Sequence, residues 1–158
     1  MLFRSDQYGV GDIVRIDNRE GTVEEMTLRV TVLRSGDGEL HVIPNGNIQM
    51  VTVLSRDWRR ATVDVSVSRK ADLGRVFEVL NQVGEQIAKD RPQMVMDKPA
   101  IAGIERMTGS GILIRSSVKT LPLKHGDIAH DWRRRIKEAF DKEGIEMAPD
   151  YWEEMRGK

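Results

Sequence analysis

The sequence is distinguished first by what it lacks. Its 158 residues include no cysteine, which excludes disulfides, thiolate catalysis, zinc fingers and iron–sulfur clusters. Aromatic residues make up only 5% of the chain. The longest unbroken apolar run, Ala100–Ile104, is far shorter than the roughly 20 residues that a membrane-spanning helix needs. These absences predict a soluble, charge-rich globular chain.

Net charge is absent too, because 25 Lys and Arg residues balance 25 Asp and Glu residues. A protein that binds polyphosphate usually has a clear basic excess, so the balance argues against a nucleic-acid partner. The sequence contains no glycine-rich phosphate loop, no nucleophile elbow and no supported pair of catalytic carboxylates. His41, His125 and His130 do not have the spacing of a metal site. We therefore expect no enzyme, no cofactor and no metal.

The first third of the chain is rich in β-branched residues between turn signals. Asp37-Gly38 predicts a hairpin, since type I′ turns need positive φ at both central residues, and Pro44 is expected to stop the returning strand. The pattern favours a small half-open β-barrel or sandwich of five strands. The strand segments are Ile13–Ile16, a long run from Thr22 through Leu33, Glu39–Ile43 and Met50–Leu54.

The rest of the chain changes character. Alternation over Thr62–Val67 predicts a half-buried strand, and Asp72 and Pro92 bracket an amphipathic helix. The order β-α-β-β-α-β is the ferredoxin-like one, a four-stranded antiparallel sheet with two helices on one face. The later segments are strands at Ala100–Met107 and Ile112–Val118, a helix over Asp127–Glu143 ended by Gly144, and a last short strand at Ile145–Met147.

These patterns predict three parts of the chain. Residues 1–58 form an Sm-like (SH3-like) β domain, residues 59–149 a ferredoxin-like α+β domain, and residues 150–158 a charged C-terminal tail.

An ordered series of motifs runs through the first part. It resembles the cytoplasmic region of the small-conductance mechanosensitive channel (MscS-like) family, which has the pattern VGD…GTV…LR.T.LR..DG…IPNG…SR in that order. Each motif alone indicates only a turn, whereas the ordered set with matching gaps is specific. The matching residues are Gly11, Asp12, Gly21, Thr22, Val23, Leu28, Arg29, Asp37, Gly38, Ile43, Pro44, Asn45, Gly46, Ser55 and Arg56.

The resemblance implies a vestibule domain of an ion channel that opens under membrane tension and lets ions and osmolytes leave the cell. It implies a homoheptamer on the cytoplasmic side of the inner membrane, with permeating ions as partners and no nucleic acid. In the family, pore-forming helices precede the β domain; here only Leu2-Phe3 stand where the last would end, so the resemblance implies that these helices are missing. The single proline of Met147–Tyr151 leaves open whether an axial β-barrel forms.

The motif residues are expected to shape turns rather than to perform chemistry, because Gly, Asn and Pro supply special backbone angles. Arg133, Arg134 and Arg135 form the densest basic run. They spread around a helix, so a solvated helix surface is the simpler interpretation, and charges that face the vestibule are the functional hypothesis.

Two other functions remain open from the sequence. An Sm-like and ferredoxin-like nucleic-acid-binding module would need exposed aromatics on its sheet, and Thr62–Val67 and Ile112–Val118 contain none. A small-molecule sensor is compatible with the fold class alone.

Overall fold

A computed structural model describes residues 7–148 of the chain. These residues fall into two compact units that divide between Asp57 and Trp58. The predictions for residues 149–158, the charged tail and the axial barrel, lie outside the described residues.

The N-terminal unit is an antiparallel five-stranded sheet in the order β4-β3-β2-β1-β5. Its strands are β1 (Ile13–Ile16), β2 (Arg19–Met26), β3 (Val30–Arg34), β4 (Leu40–Pro44) and β5 (Val51–Val53), with a short 3-10 helix at Asn45–Asn47. Both edge strands, β4 and β5, have one neighbour within the described residues. Burial of alternate side chains builds the core, whose members are Tyr8, Val14, Ile16, Val23, Leu33, Ile43 and Ile48.

The β-branched run from Thr22 through Leu33 is not one continuous strand, because the chain reverses at Thr27–Arg29. The Thr27 Oγ1 accepts hydrogen bonds from the Arg29 N–H at 3.2 Å and from the Val30 N–H at 3.0 Å. A threonine side chain that bonds to nearby backbone replaces the ladder with a turn, and β-branched composition does not reveal this.

The hairpin at Asp37-Gly38 is confirmed, but its turn type is not. Ser35 N–H donates to the Glu39 carbonyl at 2.9 Å, which encloses a three-residue loop. Gly38 has a φ of 88°, whereas Asp37 does not adopt positive φ as a type I′ turn would require. Pro44 ends β4 as its last paired residue, opposite Val30, which suits an edge strand.

The C-terminal unit has a three-stranded antiparallel sheet in the order β6-β8-β7. Its elements are β6 (Arg59–Val67), α1 (Leu73–Asp90), β7 (Ala100–Met107), β8 (Ile112–Thr120) and α2 (His125–Glu143). Alternate residues of β6 and β8 share one core with both helices, so the helices cover one face of the sheet. The strand expected at Ile145–Met147 is reduced, within the described residues, to a single bridge between Met147 and Val67.

Local sequence signals set the ends of the helices. Asp72 Oδ1 accepts from the Gly74 N–H at 3.0 Å and caps α1, which ends before Pro92. Gly144 adopts a φ of 68° and ends α2, as expected for a glycine at a helix C-terminus. The α2 helix begins at His125, two residues before the predicted start at Asp127.

Candidate functional site

Asp12 joins two motifs that are far apart in the sequence. Its carboxylate accepts hydrogen bonds from the Ser55 Oγ at 2.8 Å and the Gly9 N–H at 2.9 Å, and the Arg56 guanidinium lies 3.4 Å away. The Ser55 Oγ also accepts from the Ile13 N–H at 3.1 Å. The Gly9 N–H above all, then the Ser55 hydroxyl and Arg56, hold the pKa of Asp12 below its usual value. The Gly11-Asp12 and Ser55-Arg56 motifs therefore form one polar junction.

Asn45 forms a second junction. Its Nδ2 donates to the Thr27 carbonyl at 2.8 Å, and its Oδ1 accepts from the Thr31 Oγ1 at 2.7 Å. Its backbone N–H donates to the Arg29 carbonyl at 2.7 Å. The side chain thereby holds the turn between β2 and β3 against the end of β4 and satisfies Thr31, which is fully buried.

Gly21 is required for close approach rather than for an unusual backbone angle. A Cβ at this position would lie 2.5 Å from the Arg34 carbonyl oxygen and 2.7 Å from its carbon. The side chain of Arg34 pairs with Glu24 at 2.8 Å and donates to the Gly38 carbonyl at 3.0 Å. Gly21 and Gly38 belong to separate motifs, and both lie next to Arg34.

Backbone angles explain some of the other motif glycines. Gly11 has a φ of 94° and Gly38 one of 88°, as the turn interpretation requires. Gly46 does not: its φ is ordinary and a Cβ there would meet open space. For Gly46 the expectation of a special backbone angle is therefore not met.

The remaining motif residues divide between core and surface. Val23 and Ile43 are buried in the core of the unit. Leu28, in contrast, is 90% exposed at the turn, and Val42 on the edge strand β4 is 58% exposed. The N-terminal unit therefore presents apolar side chains next to an edge strand that has one neighbour within the described residues.

The basic run on α2 separates into paired and unpaired residues. Arg134 pairs with Asp131 at 2.7 Å, and Arg135 bonds Asp131 at 3.2 Å and Asp90 of α1 at 2.6 Å. Burial raises the pKa of Asp131, but the hydrogen bonds from Arg135 and Arg134 outweigh it, so that this pKa lies below its usual value. Arg133 is exposed and makes no ion pair within residues 7–148. The structure does not bring the three arginines together as one site.

The outward face of the C-terminal sheet carries a charge cluster that sequence reasoning missed. Arg115 donates to both carboxylate oxygens of Asp64 at 2.8 Å and lies 3.3 Å from Glu105. The hydrogen bonds from Arg115 lower the pKa of Asp64, with a smaller electrostatic contribution from Arg133. Alternation places Asp64 and Arg115 on polar faces, but their pairing depends on the register between strands 51 residues apart.

Trp58 stands at the start of this face. Its ring lies 4.6 Å from the Lys119 Nζ and 5.4 Å from the Arg60 Cζ. Trp58 precedes β6, and neither β6 nor β8 contains an aromatic residue. The stacking platform of a single-stranded RNA binder is therefore not formed by these two strands.

Other kinds of site are not found in the described part of the chain. Residues 7–148 contain no group of three or more His, Cys, Asp or Glu side chains that could hold a metal ion. None of the described helices is long and apolar enough to span a membrane.

Comparison with known proteins gives the class of the chain. The family model "Mechanosensitive ion channel, beta-domain" matches residues 1–54, and "Mechanosensitive ion channel MscS, C-terminal" matches residues 61–147. Both units thus match parts of mechanosensitive ion channels, which are not an enzyme family. The chain belongs to the MscS family.

Curated relatives agree with the family models. The chain is 38% identical over 140 residues to the small-conductance mechanosensitive channel of Caldanaerobacter subterraneus, an alignment that covers 89% of this chain and 49% of that protein. It is 26% identical to the moderate-conductance mechanosensitive channel YbiO of Escherichia coli, covering 85% of this chain and 18% of that protein. The chain therefore spans half or less of the length of these two relatives.

Solved structures support the same fold. The closed-state crystal structure of Helicobacter pylori MscS matches with a TM-score of 0.76 and 25% identity, covering 90% of this chain and 56% of that chain. Arabidopsis thaliana MSL1 matches with a TM-score of 0.68 at 18% identity, covering 92% of this chain and 55% of that chain, which shows the fold alone.

Proposed function

We propose that the chain is the cytoplasmic vestibule domain of a mechanosensitive channel that opens under membrane tension and releases ions and osmolytes. The observation that carries the proposal is the family match over both units, residues 1–54 and 61–147. The pore-forming membrane helices of that channel lie outside this sequence, and the domain faces the cytoplasmic side of the inner membrane.

The N-terminal unit, residues 1–58, serves in this proposal as an Sm-like β domain. Its junctions at Asp12 and Asn45 fix the turns, and its edge strands β4 and β5 each have one neighbouring strand within residues 7–148. A sheet edge of this kind can pair with another copy, and a repeated head-to-tail contact closes into a ring. Exposed Val42 and Leu28 supply apolar surface for that contact. We propose a homoheptamer that encloses a water-filled vestibule.

The C-terminal unit, residues 59–149, serves as a ferredoxin-like domain, and residues 150–158 as a charged tail. Two features support this description: the helices cover one face of the antiparallel sheet, and Met147 lies beside β6, where a fourth strand belongs.

Gating follows from membrane tension acting on the pore helices. Tension favours the channel state of larger area in the membrane, which is a shift between populations. The domain described by this chain contributes assembly of the ring and an antechamber through which permeating ions reach the pore. Fixed charge on the wall of that antechamber would change the local concentration of each ion.

Native mass spectrometry of the purified chain tests the ring. We expect a particle with seven times the 18.0 kDa mass of one chain. The matched control is a Val42→Asp variant, which places a carboxylate on the exposed face of β4 and should shift the population towards smaller species. A chain that stays monomeric at all concentrations would contradict assembly through this domain.

Ion selectivity tests the charge of the wall. The assay needs a chimeric channel, in which this chain replaces the corresponding region of the Caldanaerobacter subterraneus relative. Arg133→Glu is the informative variant because Arg133 has no ion pair in the described residues, and Arg133→Lys is the control because it keeps the positive charge at the same position. We expect a larger shift of reversal potential for Arg133→Glu. Equal or absent shifts would exclude Arg133 from the vestibule wall.

A further inference from the structure

Two cations lie directly opposite each other on the outward face of the C-terminal sheet. Arg60 of β6 and Lys119 of β8 are cross-strand partners in a ladder without register shifts. The backbone of Lys119 bonds on the side away from β6: its carbonyl accepts from the Met96 N–H at 2.8 Å, and its N–H donates to the Asp97 Oδ1 at 2.9 Å. Arg60 and Lys119 are therefore a non-hydrogen-bonded pair, the narrow kind whose Cα atoms lie about 4.5 Å apart.

No carboxylate forms an ion pair with either cation within residues 7–148. The Arg60 guanidinium contacts the Ser117 Oγ at 3.4 Å and the ring of Trp58, and the Lys119 ammonium contacts the same ring. Asp97 lies beside Lys119, but its carboxylate bonds the backbone N–H and not the ammonium. Like charges directly opposite each other destabilise a sheet, so a bound anion would offset a cost that is built into this ladder.

The next cation along β8 is treated differently. Arg115 donates to both carboxylate oxygens of Asp64 at 2.8 Å and lies 3.3 Å from Glu105. The register of β6 with β8 thus supplies carboxylates to Arg115 and supplies a second cation to Lys119.

Two neighbouring side chains arrange the cations as donors. The Trp58 ring, 43% exposed, lies 4.6 Å from the Lys119 Nζ and 5.4 Å from the Arg60 Cζ, which holds both charges beside one ring. The Ser117 Oγ accepts from Arg60, so its own hydrogen is available to donate. A guanidinium, an ammonium and a hydroxyl therefore lie together on one exposed face.

We propose that Arg60, Lys119 and Ser117 bind the phosphate group of a small soluble molecule. The guanidinium fork can donate two parallel hydrogen bonds to phosphate oxygens, and the ammonium adds a compact charge. A phosphate ester presents three acceptor oxygens, one for each donor side chain, whereas a carboxylate presents two.

The surroundings of the pair favour a soluble ligand over a lipid headgroup. The outward side chains that follow along β6 are Thr62 and Asp64, and Arg115 lies beyond Ser117 on β8, so all of these neighbours are polar. A membrane-binding surface combines basic side chains with apolar ones that enter the lipid boundary.

NMR titration of the full chain with inorganic phosphate tests the site. Sodium chloride keeps the ionic strength constant, because surface electrostatics are screened by salt. We expect saturable shifts of the amides of Arg60, Ser117 and Lys119 and of the indole N–H of Trp58. Shifts that do not saturate, or that are as large at the exposed Lys70 as at Lys119, would show a general ionic effect and overturn the proposal.

Removal of one cation tests the residues. Lys119→Ala should weaken phosphate binding at least about tenfold, since it removes a charge-assisted hydrogen bond. Lys70→Ala removes the same charge elsewhere and should leave the dissociation constant within about twofold. Lys119→Ala also removes a like-charge contact, so it should not lower the melting temperature. An unchanged dissociation constant in Lys119→Ala would overturn the assignment.

Asp97→Asn should have the opposite sign. It removes a negative charge next to Lys119 and keeps an Oδ1 acceptor for the backbone N–H, so phosphate should bind about twofold or more tightly. Weaker binding of phosphate by Asp97→Asn would contradict a site at Lys119.

Acetate and lipid vesicles distinguish the ligand. Acetate has fewer acceptor oxygens and less charge, so it should bind at least about tenfold more weakly than phosphate; equal affinity would overturn the assignment to phosphate. Vesicles of phosphatidylcholine and phosphatidic acid should not sediment with the chain. Sedimentation that Lys119→Ala abolishes would overturn the assignment to a soluble ligand. No channel current enters these measurements, so their failure is separate from a failure of the proposed function.

Discussion

The Ser55 hydroxyl donates to the Asp12 carboxylate at 2.8 Å, across 43 residues of sequence. The same oxygen of Ser55 accepts the Ile13 N–H at 3.1 Å, so one side chain joins the start of β1 to the segment after β5. Strands β1 and β5 are paired neighbours, and this contact fixes the end of their ladder.

Ser55→Ala should therefore weaken the N-terminal unit. The substitution removes one hydrogen bond to a carboxylate and leaves the Ile13 N–H without its acceptor, a loss of about 1–3 kcal/mol in the free energy of unfolding. Urea unfolding measures it. The control is Thr52→Ala, whose exposed side chain on β5 has no hydrogen bond within the described residues, and which should cost much less. Equal losses would contradict the role of Ser55.

Asp12 should make stability depend on pH in the acid range. The Gly9 N–H, Ser55 and Arg56 lower the pKa of the folded carboxylate, so its contribution is complete above the unfolded pKa near about 4 and is lost as pH falls through the folded pKa. The difference in unfolding free energy between wild type and Asp12→Asn should be constant from pH 7 to about 5 and shrink towards about pH 2. A difference that stays constant or grows on acidification would contradict the account.

Two glycines of the motif series should respond oppositely to alanine. Gly21→Ala forces a Cβ to within 2.5 Å of the Arg34 carbonyl oxygen, and backbone cannot move aside easily, so we expect a loss of about 1–3 kcal/mol. Gly46→Ala meets open space at an ordinary φ and should be neutral or stabilise by about 0.4–1 kcal/mol. Thermal unfolding of both variants checks this, and similar losses would show that Gly46 has a constraint that its geometry does not reveal.

Asn45→Ala should lower the free energy of unfolding by more than the small size of the removed side chain suggests. It removes the acceptor of the buried Thr31 hydroxyl and the donor to the Thr27 carbonyl, and an unsatisfied buried hydroxyl costs about 1–3 kcal/mol. Asn47→Ala, an exposed asparagine two residues on, is the control. If Thr31→Val combined with Asn45→Ala were as unstable as Asn45→Ala alone, the buried hydroxyl would not be the cause.

Arg134 and Arg135 of α2 form ion pairs and should contribute to stability, whereas Arg133 should not. Arg135→Ala leaves the carboxylate of Asp131, only 9% exposed, with fewer donors and removes the ion pair to Asp90 on α1. We expect the C-terminal unit to lose about 1–3 kcal/mol. Arg133→Ala should change the free energy of unfolding by less than about 0.5 kcal/mol, the usual range for surface positions. Equal effects would contradict the division of the three arginines.

Local signals in the sequence were sufficient to predict most of the helices, strands and turns. The cap at Asp72, the stop at Pro92, the glycine at Gly144 and the hairpin at Gly38 each act within a few residues, so composition predicts them. The turn at Thr27 was missed because a single side chain decides it within a run that otherwise favours a strand.

The contacts that define the candidate site could not be predicted from the sequence, for a different reason. Asp12 with Ser55, Gly21 with Arg34 and Asp64 with Arg115 depend on strand register, which alternation alone does not specify between distant strands. Motif order identified Asp12, Ser55 and Gly21, but not the residues that they meet, and it did not identify Asp64 or Arg115. Helix periodicity predicts that Arg133–Arg135 spread around α2, but it does not predict that Arg134 pairs with Asp131 and that Arg135 pairs with Asp90.

Single-channel recording from the chimeric channel tests the central proposal most directly. Membrane patches that contain the chimera should show stepwise currents that appear under suction and disappear when it is released. An Asp12→Asn, Ser55→Ala chimera is the control, since it should assemble less well and show fewer channels per patch. A chimera that reaches the membrane as an assembled oligomer and passes no current under tension would contradict the assignment of this chain to a channel vestibule.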